Sequence, residues 1–173
     1  MKLQRDFTIG RRRYYPKGSD VPWYEIYPLF LVHMLVFGGS GFFLAYAVDF
    51  QLLFLYVHGG FAILIYTVAY LAIFGRDEVK WMFINAGLGS LGIYSQIDWL
   101  LSLVLVDKRA SDYPFYVHVI PFLYYVIYTF LVRQAVLDIT QSREDPIRKK
   151  RAENLFIAFS VAVYAISYYL TSW

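Results

Sequence analysis

The sequence predicts an all-α fold: a polytopic integral membrane protein built as a bundle of five transmembrane helices. Of its 173 residues, 59% are hydrophobic and only 17% are charged, which leaves too few polar side chains to cover a water-soluble globule. The apolar residues form five long runs, and each run has the ~20 residues that a helix needs to cross a bilayer. The short connections between most of these runs place consecutive helices side by side and antiparallel.

The five spans follow a basic, aromatic N-terminal arm, residues 1–22. The remainder, 23–173, is predicted to be a single transmembrane domain. Its spans have the approximate bounds 24–48, 51–75, 81–106, 113–139 and 153–173.

The distribution of Lys and Arg predicts which side of the membrane each connection faces. Basic residues are concentrated in the arm and in the connections 75–81 and 140–152, whereas the first hairpin has none and the segment 107–112 balances two bases with two acids. The positive-inside rule therefore places the N-terminus inside and the C-terminus outside. The net charge of +3 is explained by this orientation, so we expect no nucleic-acid partner.

Several classes of chemistry are disfavoured by what the sequence lacks. It contains no cysteine, which excludes disulfides, thiolate catalysis and iron–sulfur or zinc–thiolate sites. It also has no phosphate-binding loop and no H-E-x-x-H metal motif. The sequence thus favours a protein that is not an enzyme.

Small residues occur in patterns that allow transmembrane helices to approach closely. They form "GGSG" at 38–41, "NAGLGSLG" at 85–92, and a stripe on the last span, Ala158, Ala162 and Ala165. We interpret all three as helix contact faces. "GGSG" also resembles the G-x-S-G of rhomboid proteases, which would imply a serine nucleophile at Ser40; however, it lies on the first span and not on a later one.

Aromatic residues make up 21% of the chain, and many tyrosines lie too deep to belong only to the membrane interface. Examples are Tyr124 and Tyr125 on the fourth span and Tyr164 on the fifth. A buried hydroxyl needs a hydrogen-bond partner. The sequence allows two interpretations: aromatic packing between helices, or a flat pocket for a lipid, quinone or porphyrin.

Four polar side chains fall at a similar depth on four different spans, about 8 to 13 Å inside the outer boundary. They form a predicted buried polar layer of Ser40, His58, Asp98 and His118. A carboxylate at that depth is costly, so Asp98 is expected to face the bundle interior and to pair with an imidazole. The remaining histidine, His33, is expected to lie deeper.

This layer has one structural and three functional interpretations. It could be a polar clamp between helices. His58 and His118 could be the axial ligands of a haem, or the layer could carry protons or a cation. Ser40, His58 and Asp98 have the residue types of an acyl-transfer triad, but nothing in the sequence supplies an oxyanion hole.

A basic cluster precedes the last span and could bind anionic lipids, cardiolipin included. Its members are Arg148, Lys149, Lys150 and Arg151. By contrast, Arg133, Asp138 and Glu153 are near enough to the inner interface that snorkelling and surface pairing explain them.

Taken together, these features favour a non-catalytic structural or accessory subunit of a larger assembly, of the respiratory, energy-transducing type, in a bacterial or mitochondrial inner membrane. Its expected partners are other membrane subunits and anionic lipids. The alternative is a small membrane protein that binds haem b or quinone, or that handles protons or ions through His58, Asp98 and His118. An intramembrane serine hydrolase is the remote alternative.

Overall fold

The computed structural model describes residues 3–9, 13–46, 52–104 and 107–172, and it is a helical bundle with a small hairpin at its N-terminal end. The long helices are α1 (Trp23–Tyr46), α2 (Leu52–Phe74), α4 (Trp81–Val104), α5 (Phe115–Ile139) and α6 (Pro146–Thr171), and a short helix α3 (Arg76–Val79) lies between α2 and α4. The predicted span ends at 47–51 and 105–106 and the C-terminal residue 173 lie outside the described residues.

Four of these helices, α1, α2, α5 and α6, are long and apolar enough to cross a membrane. The chain is by this criterion an integral membrane protein. Helix α4 has a similar length but is not among these four, and its apolar residues are interrupted by Asn85, Gln96 and Asp98 together with several serines and glycines. The predicted third span, 81–106, therefore stays a prediction, as does the predicted orientation.

Helix α5 is the centre of the bundle. It packs against α1, α2, α4 and α6, and its Phe130 and Leu131 are completely buried. Helix α6 packs mainly against α4. The core between α2 and α5 is aromatic, with the rings of Tyr70 and Phe74 both in contact with that of Phe130.

Close contacts at glycines explain several of the deep tyrosines. A Cβ atom built on Gly92 of α4 would lie 2.4 Å from ring atoms of Tyr164, and one on Gly89 would lie 2.9 Å from the ring of Tyr125. The hydroxyls of these two tyrosines are 2.5 Å apart. Gly89 and Gly92 of "NAGLGSLG" therefore serve as contact positions for rings from α5 and α6, which supports the packing interpretation for these two tyrosines.

The last helix begins earlier than the predicted span, so the basic cluster lies in its first turns and not in a loop. Asp145 is the N-cap: its carboxylate accepts hydrogen bonds from the backbone N–H groups of Ile147 and Arg148. Pro146 occupies the first turn, where its missing N–H has no cost. The local sequence Asp-Pro therefore starts the helix on the polar side of the apolar run.

The N-terminal arm contains an antiparallel hairpin, β1 (Phe7–Ile9) and β2 (Arg13–Tyr15), which the sequence did not predict. Leu3 and Val21, on either side of it, are almost fully buried. Gly75 separates α2 from α3 with a φ of +84°, a conformation that favours glycine. The arm lies against this point, since a Cβ on Gly75 would contact Gln4 at 3.0 Å.

Candidate functional site

Polar groups gather at both ends of the bundle. One end carries a 3₁₀ turn, Ala110–Asp112, and is called the turn end; the other carries α3 and is called the α3 end. Asp98 belongs to the turn end, where its carboxylate accepts a 2.6 Å hydrogen bond from the backbone N–H of Ala110. No imidazole lies at hydrogen-bond distance from Asp98 among the described residues, so the expected pairing is replaced by a bond that fixes the turn to α4.

His118 is buried near the same turn, and both of its ring nitrogens have partners. Nδ1 lies 2.7 Å from the hydroxyl of Tyr46, and Nε2 lies 3.3 Å from the carbonyl oxygen of Tyr113. The Tyr113 hydroxyl in turn donates to the carbonyl of Tyr46 at 2.6 Å. His118 thus connects α1 to the start of α5, and neither nitrogen is free to ligate a haem iron in this arrangement.

His58 and Ser40 do not join this group. His58 stacks between Phe37 and Phe54, and its Nε2 is buried with no hydrogen-bond partner among the described residues. Ser40 is exposed, and its hydroxyl donates to the carbonyl of Phe37 one turn earlier in α1. The placement of Ser40 in a buried layer is therefore wrong, and the structure does not unite the predicted layer in one hydrogen-bonded cluster.

The α3 end contains a larger polar group that the sequence analysis underestimated. Arg133 of α5 is 1% exposed, so the interpretation that it snorkels to the surface is wrong. Its guanidinium donates to Glu78 of α3 at 2.8 Å and to Glu153 of α6, and it lies 3.9 Å from the ring centroid of Trp81 on α4. One side chain therefore connects four helices.

Glu78 is the acceptor on which this cluster converges. Lys149 of α6 donates to it at 2.6 Å and Gln134 of α5 at 3.1 Å. Burial alone would raise the pKa of Glu78, but the hydrogen bonds from Lys149, Arg133 and Gln134 outweigh it and lower the pKa to about 2. Glu78 is therefore charged at neutral pH, and its charge is matched by the two bases.

A second ion pair extends the cluster towards α1. Arg143 contacts both carboxylate oxygens of Asp138 at 2.5 and 3.0 Å, and it also donates to the Gln134 side chain at 2.8 Å. Tyr27 of α1 donates its hydroxyl to the same carboxylate. The two ion pairs share Gln134, so the ends of α1, α3, α5 and α6 are linked by one network.

The sequence held a signal for this cluster. The depth of each residue along its span, which grouped the outer polar residues, can also be compared at the inner side. Arg133 and Glu153 lie one to two turns from the inner helix ends, at a depth close to that of Glu78. The side chains were missed because a surface location explained each of them individually. What the sequence lacks is the rotation of each helix, which decides whether a charge near a membrane interface faces water or the bundle.

The basic cluster at the start of α6 is only partly available for lipid. Lys149 is bonded to Glu78, and Arg148 lies 3.3 Å from Asp145. Lys150 and Arg151 are exposed. Among the described residues, no group of three or more His, Asp or Glu side chains is arranged to hold a metal ion.

These hydrogen bonds and ion pairs connect the helices to one another at the two ends of the bundle. Comparison of the chain with known protein families, with curated proteins and with solved structures finds no match.

Proposed function

We propose that this chain is a non-catalytic accessory subunit of a larger membrane assembly, of the energy-transducing type, in a bacterial or mitochondrial inner membrane. The observation that carries the proposal is the position of the alanine stripe on α6. Ala158, Ala162 and Ala165 are all exposed, although the sequence marks them as a helix contact face. Within this chain α6 uses another face, with Tyr164 and Ser167, for its buried contacts.

An outward stripe of small side chains is better suited to a second helix than to lipid. Lipid gains nothing from alanine over leucine, whereas a neighbouring helix can approach more closely. Only 11% of the most apolar stretch of α6 is buried, against 50% for α5. Helix α6 therefore has the surface with which to contact a partner subunit.

The polar residues support the same proposal. Arg133, Glu78, Asp138 and His118 all have partners inside the fold, which suits residues that hold helices in place. Lys150 and Arg151 remain exposed beside the inner ends of the helices, where anionic headgroups of the bilayer would attract them. The ion-handling alternative would need His58, Asp98 and His118 in one path, and His58 belongs to a different part of the bundle.

The test is native electrophoresis of the chain extracted in mild detergent, with identification of co-purifying chains. We expect the wild-type chain to migrate in a complex much larger than itself. Ala162→Leu adds bulk to the stripe and should release the chain from that complex. Leu170→Phe is the matched control: Leu170 is also exposed on α6 and lies about 80 to 140° around the helix from the members of the stripe, so the complex should persist.

Two results would overturn the proposal. One is a wild-type chain that migrates alone even after cross-linking in intact membranes. The other is a complex that survives Ala162→Leu as well as it survives Leu170→Phe.

A further inference from the structure

A cleft between α1 and α2 contains the two histidines that the end clusters do not use. It has a volume of 640 Å³, and its walls include His33, Phe37, Phe54, His58, Phe61 and Tyr66. We name it the histidine cleft. His58 lies about 9 Å along α2 from its first residue and His33 about 15 Å along α1, by helix rise. Both helices qualify as membrane spans, so a ligand would enter from the lipid.

The walls of the histidine cleft are almost entirely apolar, with a few polar atoms at defined positions. His33 Nδ1 and the Tyr66 hydroxyl form a hydrogen bond with each other. His58 Nε2 is buried and has no partner among the described residues. An unpaired polar atom in such surroundings is costly, and a ligand that brings a hydrogen-bonding oxygen would remove that cost once the ring turns towards it.

The aromatic rings of the cleft are arranged in a near-parallel series. The His58 ring lies 5.6 Å from that of Phe37 at an angle of 11° and 6.0 Å from that of Phe54 at 8°. Phe37 also contacts His33, with ring centroids 4.6 Å apart and the planes at 48°, so His33 lies beside this series and not in it. A flat ring that slides into this series keeps the stacking geometry that aromatic groups prefer.

We propose that the histidine cleft binds a lipid-soluble quinone. A quinone is planar, dissolves in the bilayer, and carries carbonyl oxygens that accept hydrogen bonds from an imidazole N–H. We assign the imidazole of His58 as the hydrogen-bond donor to one quinone carbonyl. The hydrogen-bonded pair of His33 and Tyr66 is the polar group at the end of the cleft that lies deeper in the membrane. The volume lies within the usual range for a small-molecule site, about 300 to 1,000 Å³.

A phospholipid is a poorer match for the same cleft. Its ester oxygens lie at the interface and its acyl chains carry no polar atom, so nothing at the depth of His58 would satisfy Nε2. The quinone proposal goes beyond the subunit function and does not depend on it, because the site lies entirely within this chain.

The experiment uses the full chain in lipid nanodiscs and decylubiquinone as the probe. After incubation and washing, retained quinone is extracted, measured by its ultraviolet absorbance and compared with that in empty nanodiscs. We expect the wild type to retain quinone at a saturable site. His58→Phe preserves the ring stack but removes the donor, so it should weaken binding about five- to tenfold.

A second pair of variants keeps the test independent of the His58 change. Ala69→Phe fills the histidine cleft, of which Ala69 is a lining residue, and should abolish retention. Val68→Phe adds a ring at the neighbouring exposed position outside the cleft and should leave retention unchanged. The proposal is overturned if the wild type retains no more quinone than empty nanodiscs, if Ala69→Phe binds as well as Val68→Phe, or if the purified protein carries a haem Soret band that His58→Phe abolishes.

Discussion

Arg133 is the residue on which the α3 end depends. A guanidinium removed from water has a large desolvation cost, which its ion pairs and hydrogen bonds must offset. The two terminal nitrogens of Arg133 are paired, whereas its buried Nε has no hydrogen-bond partner among the described residues. Here the planar group has a carboxylate from α3, a carboxylate from α6 and an indole face from α4. Such a group adds little net stability compared with an apolar core. Its removal is nevertheless severe, because the acids that surround it are left behind.

Arg133→Met should therefore lower the free energy of unfolding by about 3–5 kcal/mol, the usual cost of breaking a buried ion pair. The measurement is denaturant or thermal unfolding in detergent. Arg148→Met is the control, since Arg148 and its partner Asp145 have 66% and 44% of their side chains exposed and should contribute no more than about 1 kcal/mol. Equal losses in the two variants would show that the Arg133 pairs are not structural.

The sequence did not allow us to predict the hydrogen-bond partner of each buried polar side chain. The depth argument grouped Asp98 with His118, and in the structure His118 is buried whereas Asp98 is partly exposed. Their partners, the Ala110 N–H and the Tyr46 hydroxyl, lie in a connection and at a helix end, and their positions depend on helix rotation and loop conformation. A one-dimensional pattern contains neither quantity.

At the scale of the element, the long apolar runs determined the helices well because the length needed to cross a bilayer is a strong constraint. The ends were less predictable. Helix α6 begins at the Asp145–Pro146 cap and not where the apolar run starts, because the start of a helix is set by the hydrogen bonds of its N-cap and not by hydropathy. The hairpin of the arm escaped prediction because its strands have three residues each, too few for a periodic pattern.

The glycines of α4 give an element-scale prediction about how α4 and α6 pack. Gly92→Ala should lower stability by about 1–3 kcal/mol, the range for overpacking, because the new methyl would lie 2.4 Å from the Tyr164 ring. Gly87→Ala should be neutral, since among the described residues a Cβ built there has no neighbour within 4 Å apart from the adjacent backbone of α4 itself. Melting temperatures of the two variants in detergent test this. A Gly92→Ala variant as stable as Gly87→Ala would mean that α6 does not pack on this face.

At the scale of the whole molecule, the path of α4 decides how many times the chain crosses the membrane. If α4 crosses the membrane, the turn end and the α3 end lie on opposite sides of it. If α4 does not cross, the two ends lie on the same side. Helix α4 has 24 residues and should extend about 36 Å, enough for the hydrocarbon core. Its packing along α5 and α6 also favours a helix that crosses with them. We therefore expect five spans with the arm inside.

Cysteine labelling tests the number of spans and the orientation together, since the chain has no cysteine of its own. Ser111→Cys reports the turn end, Asp77→Cys the α3 end and Thr8→Cys the arm, and all three positions are exposed. Five spans with the arm inside predict that a membrane-impermeant maleimide labels Ser111→Cys in intact cells or mitoplasts, whereas the other two react only after permeabilisation. If Ser111→Cys and Asp77→Cys are labelled from the same side, α4 does not cross. If Thr8→Cys is labelled without permeabilisation, the distribution of basic residues has predicted the wrong orientation.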